Sequence, residues 1–465
     1  MAHKEQPVLF PQIEAAVAAG ETRIPAAGSR AAPRFNRPER HQGEMHCESL
    51  DQRLDADHTA RLVWQLVEGL DLAVLYQQIE AVEGVAGRNA SDPRVLFALW
   101  LYAAVDGIGS ARALERLCHE HRAYEWLRGA VPVNYHMLAD FRVQHGDLLK
   151  QLQAASLAGM LAEGLVTLAC AAQDGMRVRA SAGSSSFRRR PSLEEAQQQA
   201  RAHLDKLEQE SANDAAGQTL RQQKARERAA RERSERVSKA LAAVEHIAQQ
   251  REKRKKGDGE RARASTTDPE ARNMKMGDSG FRPAYNVQMA TDAASGIILN
   301  MDVLNEGSDA GQMKPMMDAI KEDLGQAPNS LLTDGGFSTI DDIEQTTQGG
   351  TTVYTPVKEE EKQKKAGKDP FASKPGDSPI IAEWRERMGT AAAKELYKLR
   401  APTAELPNAR LRNQGIYQMG VRGLAKVKAA LWWHVLALNL LRAQVLRAIR
   451  ANSTGIPCAQ AAQGG

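Results

Sequence analysis

A chain of 465 residues exceeds what one ordinary core holds and points to two or three folded units joined by linkers. With 42% hydrophobic and 26% charged residues it falls in the globular class, and a net charge of +4 is a mild excess, gathered into a few basic stretches that suit a polyanionic partner. Cys47, Cys118, Cys170 and Cys458 show neither a C-x-x-C pair nor regular spacing, which excludes a disulfide framework and a zinc ribbon, and CHEH at 118–121 sets its donors too close together for one ion. The first residues lack an apolar segment behind a basic one, and no run of about 18 apolar residues occurs, so neither secretion nor membrane spanning is expected.

Residues 1–45 mix Pro, Gly, Ala and Arg without periodicity and read as a flexible arm. Over 46–149 apolar residues recur at helical spacing, as in Leu62, Leu66 and Leu70, and Asp92-Pro93 and Ser110 are helix openings; this region reads as an all-helical domain. A helix over roughly 150–164 leads to short strand runs, LVTLACAAQDG and then MRVRASAG, with Asp174 placed at the end of the first before a turn at Gly175. Residues 191–264 carry two apolar stripes, Leu193 to Leu207 and Val237 to Ala248, at coiled-coil-like spacing, and read as a helical hairpin inserted into the sheet domain. YNVQMATD and GIILNMDVLN then predict an antiparallel hairpin, followed by a helix over about 310–324, the strand SLLTD ending at Asp334, a helix from about Thr339 and the strand TTVYTPV. Lys358–Pro379 reads as a charged linker, 425–449 as a buried helix, and 451–465 as a disordered tail; the sheet domain is thus made of 150–190 and 265–450.

Asp174 and Asp334 each precede glycine after an apolar strand, so one sheet can bring them face to face, and a carboxylate from the last helical region would complete a site of hard oxygen donors. Taken singly, an Asp-Gly pair is only a turn signal. Pro402 and Pro407 bracket Glu405 and argue against a regular helix through it, placing it near a helix start. Glu395 reads as a solvated helix residue, and Asp341, Asp342 and Glu344 as acids favoured in a first helical turn.

The segments QDGMRVRASAGSSSFRRR, LLTDGGFSTIDDI and YKLRAPTAELPNARLRNQG resemble, in order, the three active-site regions of the DDE transposases of bacterial insertion sequences. The resemblance extends through HTARLVWQLVEGLDL and VRGLAKVKAALWWHVLALNLL and covers about residues 50–445. It implies an α/β ribonuclease H-like catalytic core with an all-helical N-terminal domain that binds DNA and a helical-hairpin insertion. It further implies two Mg²⁺ or Mn²⁺ ions held by Asp174, Asp334 and Glu405, the three catalytic acids, with metal-dependent cleavage at element ends and strand transfer into target DNA. The family's Tyr-Arg-Glu-Lys signature falls on Tyr397, Arg400, Glu405 and Arg412, where Arg replaces Lys; Tyr397, Arg400 and Arg412 are then phosphate contacts.

Arg188, Arg189 and Arg190, after the first acid, are further candidates for DNA contact, as is the basic end of the inserted hairpin, Arg251 to Lys256. The resemblance implies double-stranded DNA as partner, in terminal inverted repeats and target, a homodimer on DNA, no membrane, and work in the cytoplasm at the nucleoid. A nuclease without strand transfer and an inactive DNA-binding regulator are the alternatives that the residues leave open.

Overall fold

The computed structural model describes residues 47–81, 89–213 and 220–453. The arm expected over 1–45 and all but the start of the tail expected over 451–465 lie outside the described residues. From Leu50 onward the chain forms one compact unit. It opens with α1 (Thr59–Glu68), α2 (Ala73–Gln77), α3 (Pro93–Val105), α4 (Ala111–Glu120), α5 (Arg122–Arg128), α6 (Tyr135–Gln144) and α7 (Gly146–Ala162). Their starts follow the local chemistry. Asp92 accepts the Arg94 N–H with Pro93 in the first turn, and Ser110 and Asn134 accept the N–H groups of Ala113 and Met137. Helix α3 is buried from Val95 to Ala104, so its apolar residues cover the whole circumference rather than one stripe.

Strand β1 (Cys170–Arg179) begins the sheet. After β2 (Phe187–Arg188) come two long helices, α8 (Arg190–Asn213) and α9 (Leu220–Arg254), then β3 (Ala264–Ser265), which pairs antiparallel with β2 and closes the excursion at its base. Contacts of Arg190 with Glu245, Gln197 with Ser238 and Arg231 with Glu208 fix α8 and α9 antiparallel. Leu193, Ala240 and Val244 form a small core with Ala262 and Ala264.

The main sheet then gains β4 (Arg272–Lys275), β5 (Phe281–Asp292) and β6 (Ile298–Leu304), with β5 and β6 joined through Asp292, which accepts from Ser295, and Gly296 at φ 68°. Helix α10 (Met313–Leu324), β7 (Ser330–Leu332), α11 (Ile340–Gln348) and β8 (Thr352–Tyr354) follow. β1 lies in the middle, antiparallel to β5 along nearly its whole length and parallel to β7 for three residues only. β7 is parallel to β8, and β4 and β6 share the far edge of β5. The fold is mixed α/β.

Three sequence expectations are corrected. Asp174 is not at a strand end: β1 runs through it and Gly175 to Arg179, because β5 continues to supply hydrogen-bond partners, Met289 opposite Asp174 and Gln288 opposite Gly175. The expected linker over 358–379 contains a short helix, α12 (Glu360–Lys365), and Asp377 in it forms a buried ion pair at 2.7 Å with Arg385 of α13 (Pro379–Gly389). After α14 (Ala391–Tyr397), helix α15 (Arg400–Asn413) runs straight through both prolines. Pro402 falls in the first turn, where no N–H is required, and Pro407 gives up one bond while burying itself beside Thr403, Ala404 and Leu411.

The last helix, α16 (Leu424–Ser453), ties the leading helices to the sheet. By length and composition it is apolar enough to cross a membrane, yet 67% of its most apolar window is buried inside the protein. Trp433 is 1% exposed, stands 4.6 Å from the Phe97 ring of α3 and donates its indole N–H to the Arg142 carbonyl of α6. On the sheet side Asn439 accepts the Ile298 N–H and donates to the Ile298 carbonyl, extending β6 with an amide side chain. Trp433→Ala is expected to lower the unfolding free energy by about 3–5 kcal/mol, read as a fall in the denaturant midpoint; a change under about 1 kcal/mol would show that α16 does not depend on this packing.

Candidate functional site

Side chains alternate along β1, so Ala172, Asp174 and Met176 face one side while Gln173, Gly175 and Arg177 face the other. α15 covers the first side: Ala404 packs on Ala172 and Leu332. Its residues at helical spacing, Arg400 and Asn408, then reach Asp174 from either side of Ala404. β7 stops beside Ala172, and the chain beyond it delivers Asp334 to the same end of the sheet.

One guanidinium serves both acids. Arg400 Nη2 lies 3.3 Å from Asp174 Oδ1 and 3.8 Å from Asp334 Oδ2, with the Arg400 side chain 16% exposed. Asp174 Oδ1 also accepts the Gly175 N–H, and Oδ2 the Asn408 amide at 3.3 Å. Asp334 Oδ1 accepts the Gly336 N–H at 2.8 Å, which fixes the Asp-Gly-Gly turn. Tyr397 donates its hydroxyl to the Thr333 carbonyl at 2.9 Å, holding the segment before Asp334 against α14. Burial pushes the Asp174 carboxyl above its ordinary pKa; Arg400 pulls it down, and the charges of Asp334 and Asp309 add to the rise.

Glu405 and Arg412 stand two turns apart on α15, both exposed, and neither makes an ion pair among the described residues. No three His, Cys, Asp or Glu side chains among the described residues converge closely enough to hold a metal ion. The oxygen donors of Asp174 and Asp334 are nevertheless of the type that hard divalent cations take. Arg400 Nε and Asn408 Oδ1 are buried there without a partner among the described residues. The structure therefore brings Asp174, Asp334, Arg400 and Tyr397 together, whereas Glu405 and Arg412, exposed on α15, make no ion pair or hydrogen bond with them among the described residues. Arg188, Arg189 and Arg190 lie apart, at the base of the helical pair, where Arg190 is engaged by Glu194 and Glu245.

Asp309 escapes a reading of the sequence. It sits between β6 and α10, where an acid looks like an ordinary helix-start residue, yet its Oδ1 accepts from Asn286 and Gln288 at 2.7 and 2.6 Å and its Oδ2 lies 3.4 Å from Arg177. The available signal was Asn286 and Gln288 themselves, two amides at strand spacing inside a buried apolar strand. Asp309 occupies the space over Gly175, where a Cβ would collide with Asp309 Oδ1, Gln288 Nε2 and Asn286 Oδ1. It braces β1 from the face opposite Asp174. Asp342 is structural: buried, it accepts the N–H groups of Met313 and Lys314 and caps α10, whereas Asp341 is exposed in the first turn of α11. Glu395 is an exposed partner of Lys398.

Residues 253–440 match the family described as Transposase DDE domain, and residues 48–144 match the Transposase domain (DUF772). No curated protein and no solved structure matches the chain. A helical transposase domain followed by a DDE domain, each matched by a transposase family model, agrees with the resemblance of the chain to the DDE transposases of insertion sequences. Asp334, Arg400 and Glu405 lie inside the DDE match, whereas Asp174 precedes it and joins through the pairing of β1 with β5 and β7.

Because folding raises the Asp174 pKa, its contribution to stability is present at low pH and is lost as the carboxyl ionises. Asp174→Asn should therefore melt at or above the temperature of the unaltered chain at pH 7, with the difference closing as the pH falls through the raised pKa. A lower melting temperature at pH 7 would mean that the Arg400 contact outweighs burial. Gly175→Ala should displace Asp309 and reduce DNA cleavage by roughly 10–100-fold, the range for loss of groups that support a site's ligands. Unaltered cleavage would show that the brace is dispensable.

Proposed function

We propose that this transposase cleaves DNA at the ends of its element and joins the freed 3′ end to target DNA, with Asp174, Asp334 and Glu405 as the acids that hold two divalent cations. The observation that carries the reading is the pair Asp174 and Asp334, far apart in sequence, meeting at the end of β7 around one shared guanidinium. The strand order β6-β5-β1-β7-β8, antiparallel up to β1 and parallel beyond it, supports a ribonuclease H-like core with α8 and α9 as its insertion. The leading helices, the part that matches the second transposase domain, are the proposed reader of the terminal repeats, since a helix fits the DNA major groove.

Mg²⁺ or Mn²⁺ bound at these oxygens supplies the Lewis-acid charge that phosphodiester hydrolysis and transfer require. Asp174 and Asp334 bind, and their mutual repulsion favours any added cation. Asn408 orients Asp174, and the Asp334–Gly336 turn orients Asp334. Arg400 pairs with both carboxylates, and its accessible part would meet a phosphate oxygen as the family signature implies. Tyr397 acts by anchoring the Asp334 segment, Glu405 would complete the acidic set from α15, and Arg412, exposed on the same helix, is free to meet a DNA phosphate. A homodimer on DNA accounts for the pairing of two ends.

The test is an excision and integration assay with a marked element. Asp174→Asn, Asp334→Asn and Glu405→Gln should each still bind ends and lose cleavage by on the order of 10⁴-fold, as when one member of a catalytic group is removed. Glu395→Gln should retain activity. Full activity in any of the three removes that residue from the site, and cleavage without any joined product would reduce the activity to that of a nuclease.

A further inference from the structure

A groove of about 570 Å³ opens between the C-terminal end of α9, the β4 strand and residues 305–308. Arg251, Arg254, Arg261, Arg263, Arg272 and Lys275 line it, against Glu306 as the one lining carboxylate. Arg251 and Arg261 both approach Asp258, and Arg272 donates to the Pro269 and Ala271 carbonyls. Arg254, Arg263 and Lys275 are exposed and have no carboxylate within ion-pair distance among the described residues. Phe281, paired across the strands with Lys275, lines the same groove with 63% of its surface exposed. The groove ends at Gly307 and Ser308, immediately before Asp309; the Gly307 carbonyl accepts from Arg177 of β1, which also contacts Asp309.

The groove thus runs to the brace beneath the acidic pair. Its dimensions select the occupant. About 570 Å³ lies within the roughly 300–1,000 Å³ that encloses a molecule of drug size, room for about one or two nucleotides and not for a double helix. Unpaired cations beside an exposed aromatic ring are the combination that holds single strands, with phosphates on the charges and a base on the ring. Charge alone would suit any polyanion. The exposed phenyl ring adds a surface that only an unstacked base can use, because in a duplex the base faces are already covered.

We propose that this groove seats an unpaired stretch of DNA, with its phosphates on Arg254, Arg263 and Lys275 and a base stacked on Phe281. The inference rests on the reading that the chain acts on DNA. It gives the α8–α9 insertion a function: the end of α9 forms one wall of the groove, so the insertion helps to hold the strand beside the loop that leads to Asp309. Local opening of the duplex at the cleaved end is the step that would supply such a stretch.

The experiment is equilibrium binding of a fluorescein-labelled oligothymidylate and of a random-sequence duplex of equal length to the full chain, over a series of salt concentrations. Substituting Arg254, Arg263 and Lys275 together by Ala should lower the salt slope for the single strand by about 2, at ~0.7 per phosphate contact. Phe281→Ala alone, an exposed position that leaves the core intact, should weaken the single strand roughly tenfold and leave the duplex nearly unchanged. Equal losses for both DNA forms, or no loss for the single strand, overturn the groove. If the unaltered chain cuts and joins DNA while these variants bind like it, the groove falls alone. If it neither cuts nor joins but shows these sensitivities, the groove stands and the transposition reading falls.

Discussion

The centre of the protein is a strand with unequal neighbours. β1 is paired with β5 along almost its entire length, but with β7 only over Cys170–Ala172. Where β7 leaves the sheet, β1 continues without a strand on that edge until Arg179, which bridges Gln418, and Asp174 stands just beyond the split. Asp334 leaves with β7, and α15 fills the opening by seating Ala404 on Ala172 and Leu332. The site follows from this geometry.

Charge then works against burial at the same place. Ionised Asp174 is unfavourable in its surroundings, even with Arg400 beside it, because burial and two neighbouring acids act together. A site that held one guanidinium fewer would leave two close carboxylates without compensation. One guanidinium faces two carboxylates, and Arg400 Nε and Asn408 Oδ1 are buried beside them without a partner among the described residues. Asp309 is different: its carboxylate is satisfied by Asn286, Gln288 and Arg177, and its role is to hold β1 and the loop before α10 in register.

The leading helices and the sheet share one core, joined by α16, whose Trp433 packs on α3 while Asn439 completes the edge of β6. The α8–α9 pair has its own small core and is attached through the short β2–β3 ladder. The insertion can therefore lengthen or shift without disturbing the packing around β1, while one of its ends stays beside β4.

Much of this was legible in the sequence. Periodicity located the helical pair and the buried last helix, turn chemistry located the β5–β6 hairpin, and the two Asp-Gly pairs marked both aspartates, because each of these signals is local. Local signals also misled. Gly175 reads as a turn, yet it is a strand residue whose missing Cβ admits Asp309, and Pro407 reads as a helix breaker, yet burial of its ring keeps α15 continuous. The sequence by itself determined the elements, the acids and the family they resemble. Only the tertiary structure decided that Arg400 lies between the aspartates, that Asp309 braces β1 from its other face and that Glu405 is exposed. Those facts depend on which strand is a neighbour of which, and such pairings join residues that no local pattern connects.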